Sequence, residues 1–179
     1  VQKRGELMAQ ARNGGMGAVV GLSAGIVAEV LRDNALSRLD VANFNTPSQT
    51  VVSGPVDDIK RSGPLFEKAG AQMFIPLQVS AAFHSRYMVD AGKAFAEFLA
   101  PMIFAQPKVP VIANATARPY PLNGSEAVKA LLVSQITSAV QWSQSVRLLI
   151  GEGVTEFRET GPGNVLTRMV QQIQQQTHV

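Results

Sequence analysis

The chain has 179 residues, 46% hydrophobic and 16% charged, enough apolar material for a buried core and too little charge for a disordered chain. Sixteen basic against thirteen acidic residues leave a net charge of +3, scattered and without interleaved aromatics, so no nucleic-acid binding is expected. Cysteine is absent, which removes disulfides, thiolate catalysis and cysteine metal sites together and fits a cytoplasmic enzyme; no apolar run reaches membrane-spanning length.

Val1 to Gln10 reads as a helix entered in its middle. Val1-Gln2-Lys3-Arg4 has neither an initiator methionine nor a cap, the expectation for a fragment, and Asn13-Gly14-Gly15 is the first stop. Gly17 to Leu22 is a short apolar strand, and Ser23 caps a helix with Ile26, Val27, Val30 and Leu31 on one face. Leu39 to Asn45 is a second strand, Thr46-Pro47-Ser48 a turn, and Gln49 to Ser53 a third strand. Asp57 opens a helix, kinked at Gly63-Pro64, that ends at Gly70. Gln72 to Val79 alternates, with Met73, Ile75, Leu77 and Val79 on one face. The order strand-helix-strand-strand-helix-strand is that of the ferredoxin-like split βαβ motif, and it predicts a small inserted subdomain over residues 17–78.

After Ser80 the alternation lengthens. A helix is predicted from Ser85 to about Pro101, with Met88, Ala91, Phe95 and Leu99 at helical spacing. Val109 to Asn114 reads as a buried strand, Arg118-Pro119-Tyr120-Pro121 as a loop, and Ser125 as the cap of a helix reaching Gln135. A helix from Ser143 to Ile150 stops at Gly151 and Gly153. Thr155 to Glu159 is a strand, and Asn164 to about Gln175 a last helix. Such alternation implies an α/β fold with a doubly wound parallel sheet. The expected division is a helix of a main subdomain over 1–16, the small subdomain over 17–78, and the rest of the main subdomain over 79–179.

His84 stands where the alternating segment stops and the helix begins, in Val79-Ser80-Ala81-Ala82-Phe83-His84-Ser85-Arg86-Tyr87-Met88. Strand-to-helix junctions are where α/β enzymes place their chemistry, and histidine exchanges protons near neutral pH. A lone histidine beside small apolar residues is more often a hydrogen-bonded structural residue than a base. His178 reads as a solvated residue near the chain end.

Five collinear blocks carry a resemblance: Arg4-Gly5-Glu6-Leu7-Met8, Asn43-Phe44-Asn45-Thr46-Pro47, Phe83-His84-Ser85, Gln135 to Trp142, and Gly161-Pro162-Gly163-Asn164-Val165-Leu166. Together they resemble the C-terminal part of the malonyl-CoA:acyl-carrier-protein acyltransferases of fatty acid and polyketide synthesis, the trans-acting polyketide enzymes among them. The resemblance implies a hydrolase-like main subdomain carrying the ferredoxin-like insertion. It also implies transfer of malonyl from malonyl-CoA to the phosphopantetheine thiol of an acyl carrier protein through an acyl-serine. His84 would be the base, oriented by the main-chain carbonyl of Gln135, which is otherwise readable as a polar helix-end residue. Arg4 would hold the malonyl carboxylate, its planar fork matching two parallel hydrogen bonds; alone it reads as a solvated helix arginine. Asn43 would border the acyl pocket, and Phe83 would fill the space of a 2-methyl branch.

No metal or resident cofactor is implied; phosphopantetheine comes with the carrier. The family's nucleophile lies in a Gly-His-Ser-Leu-Gly type sequence upstream of the Arg4 block, so the expected partners are the N-terminal remainder of the acyltransferase, malonyl-CoA and the carrier protein. The isolated chain is then expected to be inactive. Gly21-Leu22-Ser23-Ala24-Gly25 matches a nucleophile-elbow pattern letter for letter, but Ser23 is better explained as a helix cap. Gly161-Pro162-Gly163 reads either as an amide cradle for phosphate or, preferably, as a close-packed turn. An acyl hydrolase of the same fold and a non-catalytic carrier-docking fragment are the alternatives.

Overall fold

The computed structural model describes residues 1–122 and 124–177, so His178 lies outside the described residues. The chain opens with α1 (Gln2–Met8), followed by β1 (Gly14–Val20), α2 (Ala24–Asp33), β2 (Asp40–Thr46), β3 (Gln49–Pro55), α3 (Val56–Lys68) and β4 (Met73–Pro76). The four strands form one sheet in the order β2-β3-β1-β4, every neighbouring pair antiparallel. Val19, Leu22, Val27, Val30, Leu36, Leu39, Val52, Ile59 and Phe66 fill the space between this sheet and helices α2 and α3. Ser23 caps α2 by accepting a hydrogen bond from the Ile26 amide at 3.4 Å.

Several expectations for this unit change: the first strand begins at Gly14 and ends at Val20 rather than spanning Gly17 to Leu22, and the last stops at Pro76, short of Val79. The helix over Val56–Lys68 starts one residue before Asp57 and carries Pro64 inside its span. In β4 it is Phe74 that turns inward and stacks on Phe66 with ring centroids 5.8 Å apart, while Met73 and Ile75 are exposed. The alternation holds over Met73–Pro76, and the face that turns inward there is that of Phe74 rather than the more aliphatic one. As an edge strand β4 is covered by α3 on one side only, and the single large ring there outweighs two aliphatic side chains.

Beyond β4 the chain makes a loop and a 3₁₀ turn (Arg86–Met88), then α4 (Val89–Leu99), β5 (Ile112–Ala113), β6 (Arg118–Pro119), α5 (Ser125–Thr137), α6 (Trp142–Gly151) and α7 (Val165–Thr177). Helices α1, α4 and α5 close over Leu7, Met8, Ala81, Met88, Phe95, Leu99 and Ile136. A separate cluster of Val146, Val170 and Ile173 joins α6 to α7. The spacing of Met88, Phe95 and Leu99 is thus a core stripe.

The strands expected here are largely absent. Of Val109 to Asn114 only Ile112 and Ala113 ladder, with Pro119 and Arg118, and Val109 and Val111 are exposed. The Arg118 to Pro121 loop supplies that second strand, and Thr155 to Glu159 forms no strand. Among the described residues the ladders are antiparallel, apart from one parallel bridge between Asn43 and Val140. A strand belongs to a pair rather than a segment, and these two segments have no parallel neighbour to pair with. Ser125 sits inside α5 and accepts a hydrogen bond from the Phe104 amide, leaving Gly124 at the cap position.

Candidate active site

Strand β1 is two-faced. Val19 points to α2 and α3, whereas Met16 and Ala18 point the other way and join Ala42, Val51, Leu77 and Phe83. The loop carrying His84 crosses this second face. It crosses at close quarters: a Cβ on Gly14 would stand 2.2 Å from the Ala82 nitrogen, and the Gly14 amide donates to Ser80 O at 3.3 Å. Only glycine lets backbone meet backbone there.

Each residue of the loop is then pinned. The buried Ser53 hydroxyl of β3 donates to the Phe83 carbonyl at 2.8 Å, and Ser85 Oγ donates to the Ala82 carbonyl at 2.5 Å. Asp40 of β2 accepts from the Arg86 amide at 2.9 Å and from Arg86 Nε at 3.0 Å. Tyr87 Oη donates to the Arg38 carbonyl at 3.0 Å. Between these pins His84 adopts φ +57°, the left-handed region. For a non-glycine residue this costs about 1–2 kcal/mol, and the surrounding bonds hold it there.

The imidazole is oriented by the end of α5. Gln135 lies in the last turn, where carbonyls have no partner further along the helix. Its oxygen lies 2.9 Å from His84 Nδ1. A carbonyl can only accept, so Nδ1 carries the proton and Nε2 keeps its lone pair. Burial pushes the His84 pKa below the ordinary histidine value; the Arg4 charge pushes the same way, against the backbone bonds at Gln135 and Ser138. The neutral ring is therefore the favoured form at neutral pH. The segment just after α5 is fastened to β2, with Phe44 N donating to Val140 O and Val140 N to Ala42 O, both at 2.8 Å.

His84, Phe83, Asn43 and Arg4 share one open cavity of about 390 Å³, with Met8 and Met16 among its apolar walls. Arg4 arrives from α1. Its neighbours on that helix are spoken for, since Glu6 accepts from Gln2 and pairs with Lys3. Arg4 Nε is buried without a hydrogen-bond partner. A half-buried guanidinium with an unused donor, a neutral imidazole and apolar walls can hold a small group bearing an anion. Asn45, by contrast, donates to Gln49 Oε1 at 3.1 Å. Four of the five site residues expected from sequence thus line one cavity, and Gln135 stands behind it.

A larger cavity of about 650 Å³ lies between residues 155–160 and helices α6 and α7, and shares no residue with the His84 cavity. At its edge the Glu159 carboxylate accepts from the amides of Leu166 and Thr167 at 3.2 and 2.9 Å. These bonds hold the Glu159 pKa below the usual carboxylate value. They also occupy first-turn amides of α7, so the Gly161-Pro162-Gly163 segment is a turn before a side-chain-capped helix. Ser23 is exposed, sits at unstrained φ −69°, and does not line the His84 cavity.

Sequence reasoning missed Met8 and Met16 as walls, Ser53 and Asp40 as anchors of the loop, and Tyr120, whose hydroxyl accepts from Gln135 Nε2. Met16 was accessible through the period-two alternation of β1. Met8 was accessible too, four residues after Arg4 on the same face of α1; the others carry no local signal, because each acts across the fold.

The chain matches the acyl transferase domain family over residues 1–179. It is 44% identical over 178 residues to the polyketide biosynthesis malonyl CoA-acyl carrier protein transacylase BaeC of Bacillus velezensis, covering 99% of this chain and 61% of that protein. Among solved structures it is similar to a malonyl CoA-acyl carrier protein transacylase from Burkholderia pseudomallei, with TM-score 0.90, 41% identity, and 98% of this chain and 61% of that one covered. It is also similar to a malonyl-transacylase in complex with a type II polyketide synthase acyl-carrier protein, with TM-score 0.88, 30% identity, and 95% and 56% covered. The chain therefore spans about three fifths of the length of these proteins.

Proposed function

We propose a transacylase role for this chain, which belongs to the acyl transferase domain family: it carries the base and the acyl pocket of an enzyme that moves malonyl from malonyl-CoA to the thiol of an acyl carrier protein. The observation that carries this reading is the unpartnered, buried Nε of Arg4 in the same cavity as His84. Arg4 would take the malonyl carboxylate in a bidentate pair. His84 Nε2 would accept the proton of a serine supplied by the part of the family domain that this chain does not span, and return it to the departing CoA thiol. In the second half-reaction the same nitrogen would take the proton of the carrier's phosphopantetheine thiol as its sulfur attacks the acyl-serine, and would give it to the departing serine oxygen as the ester bond breaks. Asn43 would border the acyl group and Phe83 would limit its branching. No metal or resident cofactor takes part.

The sheet unit within residues 17–78 is read as the ferredoxin-like insertion, supported by its βαββαβ order and the strand order β2-β3-β1-β4. Residues 1–16 and 79–179 would belong to a hydrolase-like main subdomain whose parallel sheet is completed by strands from the rest of the domain. The reaction is cytoplasmic in this reading, and the 179 residues alone do not turn over malonyl-CoA. The test is acyl-enzyme formation from radiolabelled malonyl-CoA in the family-length protein. His84→Ala is expected to lower it by about a hundredfold or more, the scale for a positioned base, with unchanged melting temperature. A near-normal rate returns His84 to a structural role, and release of free malonate in place of transfer to the carrier identifies a hydrolase.

A further inference from the structure

Tyr120 takes no part in the reaction just described, yet it touches the residue that orients the base. Its position is fixed by the backbone, since the Tyr120 amide, directly after β6, donates to the Val111 carbonyl at 2.8 Å. Its half-buried hydroxyl accepts a hydrogen bond from Gln135 Nε2. The main-chain oxygen of the same Gln135 is the acceptor for His84 Nδ1. One residue is thus held by its side chain and used by its backbone.

Gln135 sits in the last turn of α5, the part of a helix most prone to fray, because its carbonyls lack intrahelical partners. An anchor on its side chain restrains the peptide plane whose oxygen faces the imidazole. We propose that Tyr120 is a positioning residue for His84: its hydroxyl holds the Gln135 amide and thereby aligns the Gln135 carbonyl with Nδ1. The role rests on the reading of His84 as the base. Burial raises the Tyr120 pKa, which keeps the phenol neutral. The charge that acts on His84 is Arg4 of α1, whose field also reaches Tyr120; the Arg86–Asp40 pair lies between the loop and β2, and the other charges of α1 and α5 pair among themselves, Lys3 with Glu6 and Lys129 with Glu126.

Three variants of the family-length protein test it: Tyr120→Phe, Gln135→Met and the double variant. Gln135→Met removes the amide but leaves the main-chain carbonyl in place. The first readout is ¹⁵N NMR of the His84 ring, which reports tautomer and titration midpoint without any need for turnover. The expected result is a partial loss of the Nδ1–H tautomer and a lower midpoint in each single variant, because the carbonyl bond that favours the protonated ring is loosened. Malonyl acylation should fall about five- to tenfold, the scale of one neutral hydrogen bond, in kcat with KM unchanged. The double variant should be no worse than the poorer single one, as two ends of one bond are removed.

An unchanged His84 tautomer and midpoint in Tyr120→Phe would overturn the proposal and leave Tyr120 a tie between the β5–β6 pair and α5. Additive losses in the double variant would overturn it equally. The altered ring signals in a protein that transfers no malonyl would uphold the positioning role while the transacylase reading fell.

Discussion

Replacing Arg4 by alanine should divide malonyl from acetyl transfer, and the structure sets the scale. Among the described residues, Arg4 Nε is buried without a hydrogen bond and Arg4 pairs with no carboxylate. Its removal therefore orphans nothing, and the lost rate reads directly as lost interaction with substrate. A hydrogen bond to a charged group contributes about 1.5–3 kcal/mol, equivalent to about 10- to 150-fold in kcat/KM. Acetyl has no carboxylate and should escape that loss. A second effect follows from the field of Arg4 on His84. Without the cation the His84 pKa rises, so the acid limb of the pH–rate profile moves to higher pH for both acyl groups. Stability should not suffer, since the half-buried guanidinium leaves with its one buried, unbonded Nε. The assay is single-turnover acylation with malonyl- and acetyl-CoA across pH, with a melting curve for each variant. Equal losses for the two acyl groups at pH above the histidine range would refute the carboxylate grip.

Phe83→Ser should relax selection against methylmalonyl-CoA without inverting it, because a single methyl group is worth about 1–3 kcal/mol in such a pocket; competition between the two thioesters measures it. Gly14→Ala should cost about 1–3 kcal/mol of stability through overpacking, because the new methyl meets the Ala82 backbone, and it should lower kcat more than it raises KM as the His84 loop is pushed aside. A rate and a urea midpoint equal to wild type would show that the loop is not held by that contact. His84 has a lowered pKa in the fold, so its contribution to stability is fully present above the unfolded value of about 6.5 and is lost as pH falls through the lower folded value. The urea midpoint should fall over that window in wild type, and His84→Gln should remove this part of the slope.

What could be read from the sequence follows physical range. Ser23, the turn after Thr46, and the stripe Met88, Phe95 and Leu99 are local rules obeyed locally, and the structure keeps them. Arg4, Asn43, Phe83 and His84 were reached through motif blocks and do share a cavity. Their proximity has no local cause, because it comes from α1, β2 and the loop meeting beside one face of β1. The failures have the opposite character. Val109 to Asn114 and Thr155 to Glu159 have strand-like composition, but a ladder needs a neighbour that composition does not announce. Which face of β4 turns inward was set by Phe66, seven residues before its first strand residue, and not by the count of apolar side chains. Nothing in Pro119-Tyr120-Pro121 hinted at Gln135, and no pattern foretold the left-handed φ of His84.

The orienting partner of His84 is an uncharged peptide oxygen, and this has a consequence for how the site handles protons. A carboxylate in that place would bind the imidazolium tightly and would bring a second titration coupled to the first. The peptide oxygen does neither. The ring answers to pH as a single group, and a proton taken up on Nε2 is held loosely enough to be given back. In an exchange between two thioesters the departing and arriving groups are both thiols of similar acidity, near 8.5 in their free form. In the proposed reaction a weak, uncoupled base of this kind would serve both half-reactions, since it would take a proton from one partner and release it readily to the next.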